Sequence, residues 1–392
     1  MMCTSACRSR PALIIGLAAG LAFVAGTAVA LAQPKAATSA TPPTAAPTAA
    51  PAAEAKKLSV GDKAPPISIE HWVKGDKVSG FEPGKIYVVE FWATWCGPCI
   101  KNMPHLTKLQ KEYKDKGVTI IGVSSQDRRG IEDVRPFVER RGDVIGYTIA
   151  VDKDMETAKA YMFATGQQSI PAAYIVDKKG NLAWYGHPMD GMDLVLSELV
   201  ADTFDAGKHA ERIAKHKELA EQFSASAGGA KWDEALATLD EITKNRPDLS
   251  KQAELSRFAV LRIGKKDAAA AATQRDKLLG TTLKDDPEML RALTETIMSV
   301  PEPTDADRAG AVEAARAVVA ATQSKDAQGL SLLARAHKAA GQMDNAIETQ
   351  TLAVAAAGEN EGLKQTMQSI LDEMKTAAAA SAKTDAPAKS DK

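Results

Sequence analysis

The sequence predicts two folded domains of different classes, an α/β domain followed by an all-α domain. Between residues 58 and 204, short runs rich in β-branched and aromatic residues alternate with helical patterns. From residue 205 those runs stop, and Ala, Leu, Glu and Lys dominate. A length of 392 residues suits two domains. The net charge of −1 and the ordinary composition predict no nucleic-acid-binding surface.

The first 32 residues indicate export from the cytoplasm. Arg8 and Arg10 precede a stretch without charge, Pro11 to Ala32, and Ala30-Leu31-Ala32 matches the small-x-small pattern at which signal peptidases cut. We therefore expect a signal peptide over residues 1–32. The alternative is an uncleaved membrane anchor, because about 20 apolar residues can cross a bilayer. Either interpretation places the rest of the chain outside the cytoplasm, in the periplasm or an equivalent compartment.

Residues 33–57 and 377–392 are expected to be disordered. The first segment consists mostly of Ala, Pro and Thr, and the second is rich in Ala, Lys and Ser. Neither segment can bury enough apolar surface to fold, and the prolines of the first favour an extended linker. The folded parts are therefore expected over residues 58–204 and 205–376.

The α/β domain is predicted to contain strands that alternate with helices. The predicted strands are Ile86–Trp92, Val118–Ser124, Ile145–Val151, Ala172–Val176 and Leu182–Tyr185. The predicted helices are Gly97–Lys116, Gly130–Arg141, Met155–Tyr161 and Gly191–Ala201. Such alternation predicts a sheet with parallel pairs and with helices on both faces. Lys179-Gly180, between the last two strands, predicts a hairpin and hence an antiparallel edge.

The cysteines provide the main indication of chemistry. Of the four, Cys3 and Cys7 lie in the expected signal peptide, which leaves Cys96 and Cys99. A structural disulfide across so short a loop would add little stability. A zinc site needs four ligands, and His105 would supply only a third. A thiol–disulfide redox site needs one activated thiolate and one resolving thiol, and this pair offers both.

The two thiols are expected to differ because of their places on the predicted helix. Cys96 falls at the start of that helix, where the partial positive charge of the N-terminus stabilises a thiolate. Cys99 lies one turn further on, on the same side, close enough to form a disulfide with Cys96. We expect Cys99 to be the more buried and the less reactive thiol.

The segment FWATWCGPC, which ends at Cys99, resembles the active-site segment of thioredoxins. Together with the export signal and the inserted helix and strand between Gly130 and Val151, it most resembles the extracytoplasmic thioredoxin-like proteins of the TlpA/ResA kind. The resemblance covers residues 58–204 and implies a thioredoxin-like α/β fold. It also implies that Cys96 attacks substrate disulfides, that Cys99 resolves the mixed disulfide, and that the two form the redox disulfide.

The same resemblance implies a set of substrate-binding residues around the dithiol. Pro171 matches the family's cis-proline, which faces the disulfide and helps to bind the substrate backbone, and Ile170 precedes it. A cis X–Pro bond costs little, and a proline at the start of a strand leaves the ladder intact. An ordinary trans proline is the alternative. The resemblance assigns Trp95 to the rim of the site, and Gly97-Pro98 is the dipeptide of reducing thioredoxins.

Glu90 is an acidic residue inside an otherwise apolar predicted strand. The resemblance places it where thioredoxins carry a buried acid below the resolving cysteine. Burial would raise the pKa of its carboxyl, which makes Glu90 a candidate proton acceptor for Cys99. The alternative is that Glu90 faces solvent on the other side of the strand.

Two further features favour the redox interpretation less directly. Peroxiredoxins share this fold, but their signature is Thr-x-x-Cys, whereas Thr94 stands in Thr-x-Cys and the Cys-x-x-Cys pair is intact. A peroxidase is therefore the weaker interpretation. His187, near the end of the last strand, could approach the site, but a histidine in a surface turn is the more ordinary interpretation.

The all-α domain shows the pattern of helical repeats. Trp232, Ala235, Leu236, Leu239 and Ile242 lie on one helical face, and Pro247 follows. Similar segments begin near Gly264 and Ala334, and the spacing resembles that of tetratricopeptide (TPR) repeats. About seven to nine helices are expected, two of them between Asp286 and Thr322. Such a surface usually binds protein segments; a purely structural or dimerising role is the alternative.

The sequence therefore predicts an extracytoplasmic thiol–disulfide oxidoreductase that reduces protein disulfides and needs no cofactor beyond its own dithiol. Its expected partners are protein substrates, a membrane electron donor implied by the resemblance, and a protein docked on the helical domain. One alternative is a dithiol oxidase or isomerase of oxidative folding. The other is a non-enzymatic scaffold that works through its helical repeats.

Overall fold

A computed structural model describes residues 57–384, with side chains up to residue 380. The expected signal peptide and nearly all of the expected linker lie outside these residues. The described chain forms two compact units, which divide between Ile213 and Ala214. Of the helices described, none is both long enough and apolar enough to cross a membrane.

The first unit is built on a six-stranded sheet with the order β1-β4-β3-β2-β5-β6. The strands are β1 (Ile69–Lys74), β2 (Ile86–Trp92), β3 (Val118–Ser124), β4 (Thr148–Asp152), β5 (Ala172–Val176) and β6 (Leu182–Gly186). β2 is parallel to β3, and β3 to β4. β5 and β6 form the predicted antiparallel hairpin. The predicted limits of β2, β3 and β5 are confirmed.

Helices cover both faces of this sheet, as the alternation predicted. They are α1 (Gly97–Tyr113), α2 (Ile131–Arg141), α3 (Glu156–Ala158, continued by a π-helical turn, Lys159–Phe163) and α4 (Met192–Val200). The next helix along the chain is α5 (Ala206–Gly228). One core packs α1, α2 and α4 on the sheet and includes Ile86, Val88 and Trp92 of β2. The other core contains Tyr87, Val89 and Phe91 of β2 and the α3 segment. The strand's alternate residues therefore face two separate cores.

The prediction from sequence missed one strand and misplaced another. β1 pairs antiparallel with β4 at the sheet edge, and its residues, IEHWVK, are mostly half-buried. It carries no strict apolar alternation, and pairing with β4 decides its conformation. The predicted strand Ile145–Val151 begins three residues later, at Thr148, because a 3₁₀ turn (Gly142–Val144) and a short loop precede it.

The second unit is entirely helical in its described part. After α5 its helices are α6 (Trp232–Asn245), α7 (Ser250–Ala259), α8 (Ala268–Lys277), α9 (Pro287–Met298), α10 (Asp305–Ala321), α11 (Ala327–Ala339), α12 (Met343–Ala356) and α13 (Glu361–Thr384). The two helices expected between Asp286 and Thr322 are α9 and α10. α9 packs on α10, α10 on α11, α11 on α12 and α12 on α13.

The C-terminal limit expected from the sequence was wrong. Residues 377–392 were predicted to be disordered, but α13 continues through the alanine run to Thr384. Alanine has the highest helix propensity, so a helix already packed on α12 through Met367 and Leu371 extends readily into that run. Residues 385–392 lie outside the described residues.

A buried ion pair links α10 to the turn that follows α7. Arg262 donates three hydrogen bonds to Asp307, at 2.9, 3.1 and 2.6 Å, and a further one to the carbonyl of Glu302. Asp307 also accepts from Thr304 in a capping box at the start of α10. Burial opposes the ionisation of Asp307, but the hydrogen bonds from Arg262 and Thr304 outweigh it and lower the pKa of Asp307 to about 2.

We expect Arg262→Met to lower the free energy of unfolding of the helical unit by about 3–5 kcal/mol, because it leaves a buried carboxylate without its partner. Since the pKa of Asp307 is below its usual value of 3.8, the pair stabilises fully above about pH 4 and loses its effect as the pH falls towards 2. Urea unfolding, combined with hydrogen exchange of α10, measures both effects.

Arg308→Met is the matched control on the same helix. Arg308 pairs with Asp305, and their side chains are 38% and 102% exposed, so its loss should cost less than about 1 kcal/mol. Equal losses in the two variants would contradict the assignment of Arg262.

Candidate active site

The two cysteines lie at the N-terminus of α1, directly after β2 and a three-residue loop. They form a disulfide with their Cα atoms 5.3 Å apart. Cys96 is 4% exposed and Cys99 is 1% exposed, whereas Gly97 and Pro98 between them are exposed. Both cysteines are therefore buried, and Cys96 keeps slightly more exposed surface than Cys99.

The local backbone favours negative charge on Cys96. Cys96 is the N-cap of α1, and its sulfur accepts a hydrogen bond from the backbone N–H of Cys99 at 3.2 Å. Unpaired N–H groups and the helix dipole at this end stabilise a thiolate. This arrangement favours the thiolate form of Cys96 once the disulfide is reduced.

A carboxylate that was not predicted from the sequence forms hydrogen bonds with the loop before Cys96. Asp127, just after β3, accepts hydrogen bonds from the N–H of Thr94 at 3.1 Å and from its hydroxyl at 2.5 Å. The hydroxyl of Ser124 donates to the same carboxylate at 2.6 Å. The indole N–H of Trp95 donates to the carbonyl of Gln126 at 3.3 Å. The turn after β3 therefore fixes the position of the redox loop.

A pocket of about 550 Å³ opens between Trp95 and that turn. Trp95 is 62% exposed and forms an aromatic wall beside Cys96. Arg128 and Arg129 line the rim, and Arg129 pairs with Asp133. An aromatic wall with guanidinium groups nearby can contact a peptide next to the disulfide.

The Ile170–Pro171 peptide bond is cis, as expected. Pro171 directly precedes β5, where Ala172 is paired with Phe91 near the end of β2. Because β2 leads into the redox loop, the start of β5 lies at the same edge of the sheet as the cysteines. Ile170 is half-buried and packs on both cores.

Glu90 is buried, and it lies on the cysteine side of the sheet. It alternates with Val88 and Trp92, which belong to the core that also contains Cys96 and Cys99. Only 1% of Glu90 is exposed, so the solvent-facing alternative is wrong. Within the described chain neither of its carboxyl oxygens has a hydrogen-bond partner. Burial raises the pKa of Glu90 to about 8.

Neither histidine considered from the sequence joins the dithiol. The Nδ1 atom of His187 accepts a hydrogen bond from the N–H of Met189 within a turn, and burial lowers the pKa of His187. His105 is hydrogen-bonded to Asp193 at 2.9 Å. In the chain described, residues 57–384, no group of three or more His, Cys, Asp or Glu side chains is arranged to hold a metal ion.

Comparisons with known proteins agree with this geometry. Residues 60–185 match the AhpC/TSA family. The chain is 27% identical over 210 residues to protein FixW of Rhizobium leguminosarum. This match covers 50% of this chain and 94% of FixW. It is 32% identical over 131 residues to thiol-disulfide oxidoreductase ResA of Bacillus thuringiensis (strain Al Hakam), covering 33% of this chain and 70% of ResA.

The chain is also similar in sequence to a protein of solved structure. The thioredoxin domain of a thiol-disulfide oxidoreductase from Bacteroides vulgatus is 29% identical, with a TM-score of 0.31. The match covers 36% of this chain and 99% of that one.

The raised pKa of Glu90 generates a pH prediction. If its carboxylate takes the proton of Cys99, release of a substrate held on Cys96 should speed up as the pH rises through about 8, where Glu90 ionises. Glu90→Gln should slow this step by about 10-fold to 100-fold and remove the inflection. Single-turnover release from a mixed disulfide between pH 6 and 10 measures both, with alkylation of Cys96 as the control.

The same substitution has a second readout that does not depend on turnover. Because folding raises the pKa of the Glu90 carboxyl, the protein loses stability as the pH rises from 4.5, the pKa of this group in the unfolded chain, towards 8. Glu90→Gln should therefore stabilise the protein at pH 7 but not at pH 4. An unchanged release rate together with an unchanged pH profile would exclude Glu90 as the base.

Proposed function

The chain belongs to the family of ResA-type thiol-disulfide oxidoreductases, and we propose that it reduces disulfide bonds of proteins outside the cytoplasm through Cys96 and Cys99. The observation that carries this proposal is the asymmetry of the two sulfurs. Cys96 is the N-cap of α1, and its sulfur accepts a hydrogen bond from a backbone N–H group. Cys96 also keeps slightly more exposed surface than Cys99.

This asymmetry supports a two-step exchange. The thiolate of Cys96 attacks one sulfur of the substrate disulfide, a mixed disulfide forms, and the other substrate sulfur leaves as a thiolate. Cys99 then gives its proton to Glu90 and attacks the sulfur of Cys96. The Cys96–Cys99 disulfide forms and the second substrate sulfur leaves. The substrate disulfide gains two electrons, and the dithiol of the protein loses two.

The residues around the dithiol support binding of an extended peptide. Trp95, Gly97 and Pro98 are exposed beside Cys96. Ile170 and cis-Pro171 lie at the same edge of the sheet, at the start of β5. We propose that these five residues contact the substrate on both sides of its disulfide.

The direction of electron flow follows from how far the thiolate of Cys96 is stabilised. A strong oxidant over-stabilises the thiolate of its attacking cysteine. Gly97-Pro98 places no histidine or other cation between the two cysteines. Reduction of substrates is therefore favoured over oxidation, and a membrane donor of electrons is needed to restore the dithiol in an oxidising compartment.

Equilibration of the Cys96–Cys99 pair with glutathione measures this direction. We expect a potential nearer to about −270 mV, the thioredoxin value, than to the −120 mV of a strong oxidase. A potential above about −180 mV would assign the protein to oxidation or isomerisation instead.

We propose a docking role for the helical unit. Its helices bury their own apolar cores, as in stacked repeats. Stacked helices offer an extended surface for protein segments. We also propose that the helical unit consists of TPR-like repeats, that residues 1–32 are an export signal, and that the protein works in the periplasm.

A trapping experiment tests this docking role. In Cys99→Ser the mixed disulfide on Cys96 cannot be resolved, so substrates stay attached. We expect the full chain to trap its natural substrate at least about 10-fold better than a chain that ends at Ile213, which keeps the pair between Arg212 and Glu198.

Reduction of insulin by the two chains with both cysteines intact is the control. Both chains should reduce insulin equally, because a flexible substrate needs only the dithiol. An equal loss on insulin and on the natural substrate would mean that the helical unit only stabilises the first unit.

A further inference from the structure

The pocket of about 550 Å³ next to the redox loop is lined by charged side chains that the proposed exchange reaction does not use. They are two carboxylates and two guanidinium groups, those of Asp127, Asp133, Arg128 and Arg129. Trp95 lines the same pocket and directly precedes Cys96 in the chain. The pocket therefore adjoins the place where a substrate disulfide would be attacked.

Three of these four charged groups already have partners within the fold. The carboxylate of Asp127 accepts hydrogen bonds from the backbone N–H and the hydroxyl of Thr94 and from the hydroxyl of Ser124. The guanidinium of Arg129 is paired with Asp133, which also accepts a hydrogen bond from the backbone N–H of Arg129 at 3.1 Å. These contacts hold the turn after β3 and the start of α2.

Arg128 is the fourth charged group, and its situation differs. It is exposed, and it lines the pocket. In the part of the chain that the structure describes, its guanidinium forms neither an ion pair nor a hydrogen bond. An exposed arginine is ordinary on a protein surface, but this one lies in a pocket that adjoins the redox loop. Its planar fork of N–H donors matches the two oxygens of a carboxylate.

We propose that Arg128 is a specificity-determining residue, which binds the carboxylate of an Asp or Glu next to the disulfide of the substrate protein. This inference rests on the proposed reductase function and adds a substrate class to it, disulfides that are flanked by an acidic residue. The exposed indole of Trp95 contacts the neighbouring part of the peptide. Arg128 takes no part in the transfer of electrons or protons. It therefore acts on the binding of substrate and on KM.

An anionic side chain suits this pocket better than the other classes of side chain. A cationic group would be repelled by Arg128, and the oxygens of Asp127 and Asp133 are already hydrogen-bonded. An apolar side chain would remove water from the guanidinium without replacing its hydrogen bonds, which costs free energy. A carboxylate replaces that water with charge-assisted hydrogen bonds.

Reduction of three model peptides tests this specificity. Each peptide contains one disulfide, and the three differ only in the residue next to one of its cysteines, which is Glu, Gln or Lys. We expect the reduced wild-type protein to prefer the Glu peptide over the Gln peptide by about 5-fold in kcat/KM, the upper range for an exposed ion pair, and to reduce the Lys peptide least well. Arg128→Gln should remove this preference, and Arg128→Glu should reverse it.

Binding of unreactive peptides gives a second readout that needs no thiol exchange. In these peptides both cysteines are replaced by serine, and fluorescence anisotropy measures their binding to the oxidised wild-type protein. The Glu peptide should bind about 5-fold more tightly than the Gln peptide. This advantage should shrink as the salt concentration rises from about 10 mM to 1 M, because salt screens exposed charges.

Arg135→Gln is the matched control. Arg135 is an exposed arginine of α2 that lies outside the pocket, and within residues 57–384 it has no ion-pair partner. This variant loses the same charge as Arg128→Gln and should keep the preference for the Glu peptide.

Equal binding of the three unreactive peptides to the wild-type protein would overturn the proposal. An equal loss of preference in Arg128→Gln and Arg135→Gln would also overturn it, because only the net charge would then matter. If the wild-type protein bound the Glu peptide preferentially but reduced no disulfide, the proposed function would fail and the assignment of Arg128 as a carboxylate-binding residue would stand.

Discussion

The structure of the α/β unit depends on the register of its central strand. β2 pairs with β3 on one side and with β5 on the other, and its alternate side chains enter two different cores. A shift by one residue would exchange the two sets, and Glu90 would move away from the cysteines to the other face. The same register places Glu90 beside Gly122 and brings the start of β5 to the redox loop.

Two opposite electrostatic environments meet at this site. At the N-terminus of α1, backbone N–H groups favour the thiolate of Cys96, so this sulfur is suited to attack. One layer below, burial disfavours charge and raises the pKa of Glu90 to about 8. A carboxyl with such a pKa holds its proton weakly enough to exchange it near neutral pH. In the proposed reaction, the first environment suits a nucleophile and the second suits a proton acceptor.

In the helical unit, by contrast, a buried carboxylate is paired with an arginine. The carboxylate of Asp307 is paired with Arg262 and hydrogen-bonded to Thr304, and its pKa falls to about 2. Full pairing keeps this group ionised and makes it structural. In the described chain Glu90 has no such partner. A buried carboxyl is therefore a candidate for chemistry in the α/β unit, whereas in the helical unit it is part of a structural ion pair.

The sequence by itself determined the elements whose signals are local. The apolar runs predicted β2, β3 and β5 to the residue, and Gly97-Pro98 between two cysteines predicted a redox dithiol. The tertiary structure alone decided β1 and the hydrogen bonds from Thr94 to Asp127. Each of these depends on residues that are far apart in the chain and come into contact only when the strands pair in one register. The periodicity of a short segment carries no information about such contacts.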